Sequence, residues 1–249
     1  MPGQNAIVMR MATILQLSVI LPVYNEQECV EGTLRELDAT LAKLSLPYEI
    51  LAVNDGSSDR TPDLISNLAR GIPSLRMLTI APNSGQSAAM GAGFKAARGA
   101  VIVTMDADGQ NDPADIPRLM EGLRQSDVCC GYRANRRDSA GKRWGSRLAN
   151  RVRQAILHDG IIDTGCTLKA FKAEFVRDLP MRLKGMHRFL PVLAQMQGAM
   201  VSQIAVNHRP RTAGTSKYTN LGRLKETIWD LWAVRWMQRR HRRFTVTGA

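Results

Sequence analysis

Short apolar runs alternate with stretches of helical periodicity along the first half of the chain. Leu17 to Pro22 is an apolar run stopped by proline, Tyr48 to Val53 is a second and Leu75 to Ile80 a third. Val101-Ile102-Val103-Thr104-Met105 is the fourth. The runs are short and their apolar residues do not alternate strictly with polar ones, which predicts strands buried on both faces of a parallel sheet. After the first run, Val30, Leu34, Leu37, Leu41 and Leu44 recur at three- and four-residue spacing and predict a helix. A second helix has Pro62 near its first position, and a third, rich in small residues, runs from Gln86 to Ala97. Strand and helix alternate with short connections, so the fold class is α/β, a doubly wound, mainly parallel sheet with helices on both faces. Further on, the pattern predicts a short helix from Asp112 to Leu123, a strand from Val128 to Gly131 and an edge strand from Val201 to Val206.

Each of the first four strands runs into a polar cluster: Tyr24-Asn25-Glu26, Asp55-Gly56-Ser57, Asn83-Ser84-Gly85 and Asp106-Ala107-Asp108. In open α/β sheets ligands bind outside the carboxyl ends of the strands. Helix capping accounts for Ser57 or Ser58, but not for Glu26 or for two aspartates before Gly109-Gln110. Asp106 and Asp108 would share a face if the extension continued past Met105. Two carboxylates at such a rim suit a hard divalent cation with oxygen ligands; a solvated turn is the plain alternative for this pair taken alone.

Composition narrows the partners. The chain has 249 residues, 44% hydrophobic, with a formal net charge of +12 and a pI near 10.1. Such a balance points to a polyanionic partner: nucleic acid, an anionic membrane surface or phosphorylated substrates. Aromatic residues make up only 5%, and no arginine–aromatic alternation marks an RNA-binding sheet, which disfavours nucleic acid. Cys29, Cys129, Cys130 and Cys166 form no C-x-x-C pair and read as reduced thiols of a cytosolic compartment. No His, Cys or Asp spacing suggests zinc. Met1 to Gln16, with Arg10 in its middle, reads as a loose lead-in and not a signal peptide, and no apolar run is long enough for a transmembrane helix. Neither G-x-G-x-x-G nor a Walker-type loop is present, so a bound nucleotide would be held by metal and arginines.

Pro22-Val23-Tyr24-Asn25-Glu26, Asp55-Gly56-Ser57-Ser58-Asp59, Asn83-Ser84-Gly85-Gln86 and Asp106-Ala107-Asp108-Gly109-Gln110, in this order, resemble the family 2 glycosyltransferases of GT-A fold. Within that family the chain is similar to the polyprenyl-phosphate sugar transferases, the dolichyl-phosphate and bacterial undecaprenyl-phosphate enzymes. The resemblance covers roughly residues 17–218. It leaves 1–16 as lead-in and 219–249 as a C-terminal amphipathic helix with a basic tail. It implies that Pro22, Tyr24, Glu26, Val53 and Asp55 line the base and ribose pocket and that Asp106, Ala107 and Asp108 contact the donor. Asp108 and Gln110 would ligate Mg2+ or Mn2+, and Arg211 and Lys217 would close over the diphosphate. Arg133, Arg143, Ser146 and Arg147 would hold the acceptor phosphate, which makes Asp108 and Arg133 the catalytic pair. Asn54 departs from the aspartate that relatives often carry there. The implied reaction is inverting transfer from a nucleoside diphosphate sugar to a polyprenyl phosphate, by a protein peripheral on the inner face of the membrane.

The second half agrees with a lipid acceptor. Arg143, Arg147 and Arg151 recur every four residues beside an apolar stripe of Trp144, Leu148, Val152 and Ile156. A helix lying on an anionic membrane carries this pattern; a solvated charged face is the plain alternative. Trp229, Trp232 and Trp236 share one helical face ahead of Arg239, Arg240, Arg242 and Arg243, a combination suited to the lipid boundary. That helix would dock directly, be recruited by an integral membrane partner, or pack on the core. His187 reads as a cap or a satisfied histidine. Asp163-Thr164-Gly165-Cys166 either shapes the sugar pocket or is a plain turn. A second reading keeps the family but takes a saccharide or other soluble acceptor, with Asp163 as the base; a third is a basic adaptor without catalysis.

Overall fold

A computed structural model of the protein describes residues 16–134, 150–210 and 220–243, the side chains of 220–226 excepted. Among these, seven strands form one sheet: β1 (Leu17–Val23), β2 (Tyr48–Asn54), β3 (Leu75–Thr79), β4 (Val101–Thr104), β5 (Val128–Arg133), β6 (Lys169–Lys172) and β7 (Val201–Val206). The order across the sheet is β3-β2-β1-β4-β6-β5-β7. β6 lies antiparallel to both β4 and β5, and every other pairing is parallel. The sheet is therefore mainly parallel, with β7 at its edge as expected. β6 is the strand the hydrophobic pattern does not reveal.

Helices cover both faces and each face has its own core. On one side α1 (Val30–Leu41), α2 (Thr61–Ala69) and α4 (Ile116–Gly122) bury Val30, Leu34, Leu37, Ile65 and Leu119 against Leu17, Val19 and Leu21. On the other, α3 (Gln86–Ala96) and α6 (Leu190–Met196) bury Met90, Phe94, Leu190 and Leu193 against Ile20, Leu51 and Val53. Leu157 of α5 (150–157) joins this second core, as do Leu231 and Val234 of α7 (Asn220–Arg240). Burying that Leu and Val on α7 stabilises its attachment by roughly 3–5 kcal/mol. Packing of this helix on the core is thus real, and it leaves another face of the same helix outward. No helix among the described residues is long and apolar enough to cross a membrane.

Two details differ from the pattern-based expectation. β4 ends at Thr104, because the Asp106 N–H is taken by Asn111 Oδ1 at 3.0 Å and Gly109 turns the chain at φ 75°. Extension therefore does not carry Asp106 and Asp108 onto one strand face. Arg153, two residues beyond the Arg143, Arg147 and Arg151 stripe and cationic like it, is buried against Asp159 and the Ile161 carbonyl. Arg151 and Val152 beside it do face outward.

At the end of the sheet away from the polar clusters, Asp127 ties three strands together. Its carboxylate accepts from Lys172 Nζ at 2.6 Å and from the Met200 N–H at 2.9 Å. Its own N–H donates to the Met200 carbonyl at 2.9 Å. The Lys172 hydrogen bond, with help from the Met200 N–H, holds the Asp127 carboxyl below its usual 3.8. A depressed carboxylate contributes stability above its unfolded pKa and loses it as pH falls through the folded value. Asp127→Ala is expected to lower stability by about 1 kcal/mol at neutral pH, Lys172 being partly exposed. In denaturant titrations the gap to the parent should close as pH falls through the folded Asp127 value, below the ordinary carboxylate range; a gap independent of pH would contradict the role.

Candidate active site

The carboxyl ends of β1, β2 and β4 form one rim, and hydrogen bonds stitch its loops together. Asn25 sits in the left-handed region at φ 51°, which asparagine tolerates better than most residues. Its N–H donates to Ser57 Oγ at 2.9 Å, and its side-chain oxygen accepts the Ser58 N–H at 2.8 Å. The Glu26 N–H donates to Thr61 Oγ1 at 2.9 Å. Loop 24–27 is thereby fastened to the start of α2.

Asp55 is the next knot. Its buried carboxylate accepts the Ser84 N–H at 2.8 Å, the Gly85 N–H at 2.8 Å and Asn83 Nδ2 at 2.9 Å. A carboxylate offers about four acceptor positions, so one remains toward a ligand N–H. Gly56, at φ 68°, passes the Asn83 backbone so closely that an added Cβ would lie 3.0 Å from its nitrogen. Glycine is required here for both reasons. The Asn54 side chain, where relatives often carry aspartate, accepts the Ser57 N–H at 3.0 Å. That backbone acceptor role is one a carboxylate could also fill.

The acidic tip after β4 is held from three sides. Asp106 Oδ1 accepts from Gln86 Nε2 at 3.0 Å, at the first residue of α3, and Asp106 Oδ2 accepts from Thr167 Oγ1 at 2.7 Å. Asp108, buried, accepts the Gln110 N–H at 3.1 Å. Burial first, and the Asp108 charge second, push the Asp106 carboxyl up from 3.8 to about 6, against the Thr167 hydrogen bond and the cations Lys169 and Arg133. Gln110 Nε2 donates to the Arg209 carbonyl at 3.4 Å, and the Arg209 N–H donates to the Gln110 carbonyl at 2.9 Å. Arg209 reaches Glu36 at 2.7 Å and Asp112 at 2.8 Å, so the chain at Arg209, two residues before Arg211, is anchored at the tip.

This donor set fits a hard divalent cation. It offers carboxylate and amide oxygens only, and one of the two carboxylates is raised by burial and, after that, by its neighbour's charge. No cluster of three or more His, Cys, Asp or Glu suited to a metal occurs among the described residues. Mg2+ does not need one, because it is commonly held by one or two carboxylates together with substrate phosphates.

Beside the tip, Arg133 at the end of β5 makes a two-pronged pair with Asp163: Nε to Oδ2 at 2.7 Å and Nη2 to Oδ1 at 2.9 Å. Gly165 admits the guanidinium, since a Cβ there would lie 2.9 Å from Nη2. The pair occupies two of five guanidinium donors and leaves three for an anion. The 163–166 segment is a turn, and its aspartate orients Arg133. His187 is a satisfied histidine, its Nδ1 2.9 Å from Ser87 Oγ and its N–H donating to the same oxygen at 3.2 Å.

Of the residues expected at the site, Pro22, Tyr24, Glu26, Asp55, Asp106, Asp108 and Gln110 all lie on this rim, and Arg133 is near enough to act on the Asp106 charge. Tyr24 is exposed, as a stacking surface for a base would be. The side chain of Val53 belongs to the second core, and Ala107 is buried in the first, so neither side chain is presented at the rim. Arg143, Ser146, Arg147, Arg211 and Lys217 lie outside the described residues. Sequence reasoning missed Thr167, Asn111 and Arg209, which hold the acidic tip; Thr167 and Arg209 are far from it in the chain, and Asn111 reads as a plain turn residue.

Comparisons agree with this architecture. The profile of "Glycosyl transferase family 2" matches residues 18–179. The undecaprenyl-phosphate 4-deoxy-4-formamido-L-arabinose transferase of Pseudomonas fluorescens is 39% identical over 217 residues, 86% of this chain and 63% of its own length. The Serratia proteamaculans protein of the same name is 35% identical, over 89% of this chain and 68% of its own length. The chain thus spans less than two thirds of the Pseudomonas relative. Among solved structures, glucosyl-3-phosphoglycerate synthase from Mycobacterium tuberculosis, with Mn2+, uridine diphosphate and phosphoglyceric acid, aligns at a TM-score of 0.68. It shares 17% identity, covering 92% of this chain and 80% of its own. The mannosyltransferase PcManGT of Pyrobaculum calidifontis, with GDP-Man and Mn2+, aligns at 0.60 with 19% identity, over 81% of this chain and 58% of its own. At these identities the likeness is one of fold, and the fold is GT-A.

Thr167→Val removes the hydroxyl that holds Asp106 and leaves the packing volume unchanged. Calorimetric titration with UDP or GDP in the presence of Mn2+ should show affinity about tenfold weaker, with the melting temperature within a few degrees of the parent. Unchanged affinity would contradict the role given to Thr167.

Proposed function

The chain belongs to glycosyl transferase family 2, and from that premise we propose that it moves a sugar, with inversion, from a nucleoside diphosphate sugar to a polyprenyl phosphate. The observation that carries the reading is the held pair Asp106 and Asp108, with the Arg133 fork beside it. The relatives named as undecaprenyl-phosphate sugar transferases support the acceptor class.

The first loops would receive the nucleotide. Tyr24 offers a face to the base, and the remaining acceptor position of Asp55 suits a ring N–H. Asp106, steadied by Gln86 and Thr167, would accept from sugar hydroxyls. Asp108 and the Gln110 amide oxygen would hold Mg2+ or Mn2+. When bound, the ion offsets the negative charge that develops on the departing nucleoside diphosphate. Arg211 and Lys217 would add positive charge over the same diphosphate.

The acceptor needs no general base. A phosphate monoester has a second pKa near about 6, so it is largely dianionic at neutral pH and can attack the anomeric carbon as it stands. What it needs is alignment with that carbon. The three Arg133 donors beyond the Asp163 pair suit that task, joined by Arg143, Ser146 and Arg147. A soluble acceptor alcohol would instead require a base, and the Asp163 carboxylate assigned to that role is engaged on both oxygens by Arg133. That engagement favours the lipid phosphate. The acceptor in turn implies work at the inner face of a membrane, alone or with an integral membrane partner.

The test is transfer of label from UDP- and GDP-sugars to undecaprenyl phosphate with Mn2+, read as organic-extractable product. Asp108→Asn should lower turnover by about 10²–10³-fold without a change in fold by circular dichroism; undiminished turnover would remove the metal assignment. Arg133→Lys keeps the charge and loses the fork. It should raise the acceptor KM roughly tenfold with donor affinity unaltered. Label appearing only in water-soluble saccharide would contradict the lipid acceptor.

A further inference from the structure

The outward face of α7 has no part in the chemistry above. Trp229, Trp232 and Trp236 are 70%, 57% and 63% exposed, and Ile228 beside them is 49% exposed. At about 100° per residue the three tryptophans fall within an arc of about 60°. Monomeric proteins rarely leave so much contiguous aromatic surface in water. Arg239, Arg240 and Arg242 continue the exposed surface at the end of the helix. Arg243 is turned toward Gly198, to which an added Cβ would bring its Nη1 within 2.7 Å. Between 227 and 240 the one acid is Asp230, and it is directed inward to Arg188 at 3.7 Å.

We propose that this face docks on an anionic lipid bilayer, with the tryptophan rings at the headgroup boundary and Arg239, Arg240 and Arg242 against lipid phosphates. The chemistry selects that occupant. Indole prefers the water–lipid boundary, where its ring is in apolar surroundings and its N–H stays hydrated. Cations near an anionic leaflet add attraction that falls off within a Debye length. A second copy of the chain would bring like charges together at the arginine end.

The docking face is mounted rigidly. Leu231 and Val234 are buried in the second core, and Gln238 Nε2 donates to the Leu157 carbonyl at 3.1 Å. Arg188 joins Asp230 and donates to Thr227 Oγ1 at 3.3 Å. Its neighbour His187 contacts Ser87, which follows the Gln86 that holds Asp106. A bilayer bound by α7 would therefore lie at a fixed orientation to the acidic tip. The inference deepens the lipid-acceptor reading and rests on it for its purpose, but binding is measurable without turnover.

The experiment is co-sedimentation and tryptophan emission of the full chain with vesicles of phosphatidylcholine, or of phosphatidylcholine and phosphatidylglycerol in equal parts. The parent should bind the anionic vesicles with a blue-shifted emission, quenched by brominated lipid. It should bind the zwitterionic ones far more weakly, and salt should weaken the anionic binding. W229A/W232A/W236A should lose both the shift and the binding. R239Q/R240Q/R242Q should bind anionic vesicles roughly 100-fold more weakly. Both variants should keep the parent's melting temperature and its transfer to a short-chain, water-soluble prenyl phosphate. Loss of that transfer in the parent as well would count against the reaction, not the docking. The docking is overturned if the parent fails to bind anionic vesicles, if the tryptophan variant binds like the parent, or if the tryptophans instead drive self-association in the absence of lipid.

Discussion

Two carboxylates stand one residue apart just beyond the end of a buried strand, and the site is organised around holding them there. Burial first, and the neighbouring Asp108 charge second, push the Asp106 carboxyl up to about 6. Thr167 and Gln86 each give one of its oxygens a donor, and the nearby charges of Lys169 and Arg133 oppose the shift. Such a pair leaves a demand for positive charge of the kind a divalent cation can satisfy. Gln86, Asn111 and Thr167 all bond to Asp106 and keep it in place.

The same logic extends around the rim. Asp55 is buried and ionisable, and its carboxylate is met by two backbone N–H groups and an asparagine amide. The fork of Arg133 on Asp163 aims one guanidinium and leaves part of it for an anion. Charges at this rim are thus paired enough to be held and incompletely enough to bind. That separates the site from Arg153 with Asp159, where burial is nearly complete and the pair serves structure.

Much of this was legible in the sequence, for physical reasons. The strands that carry the rim are apolar on both faces and end in residues that neither extend a strand nor serve only as caps, so β1 to β4 and their loops could be read directly. β6 could not. Its four residues, Lys169-Ala170-Phe171-Lys172, begin and end on lysine, and Lys169 is fully buried with its ammonium on the Cys166 carbonyl. A buried lysine reads as a surface residue until its partner is known. Thr167 escaped for a related reason: a hydroxyl that donates to a carboxylate from 61 residues away leaves no local pattern, and Asn111, whose amide oxygen accepts the Asp106 N–H, reads as an ordinary turn residue. For α7, the tryptophan spacing gave the outward face, while the burial of Leu231 and Val234 emerged only in the fold, so one helix carries an outward aromatic face and a core-packed one.

The most direct measurement is anomalous diffraction at the manganese edge from crystals soaked with Mn2+ and the nucleoside diphosphate that the protein binds. The account predicts one strong peak in coordination contact with Asp108 and with the diphosphate, beside the Asp106 carboxylate. A nucleotide seated elsewhere, or a manganese peak remote from the tip of β4, would contradict it.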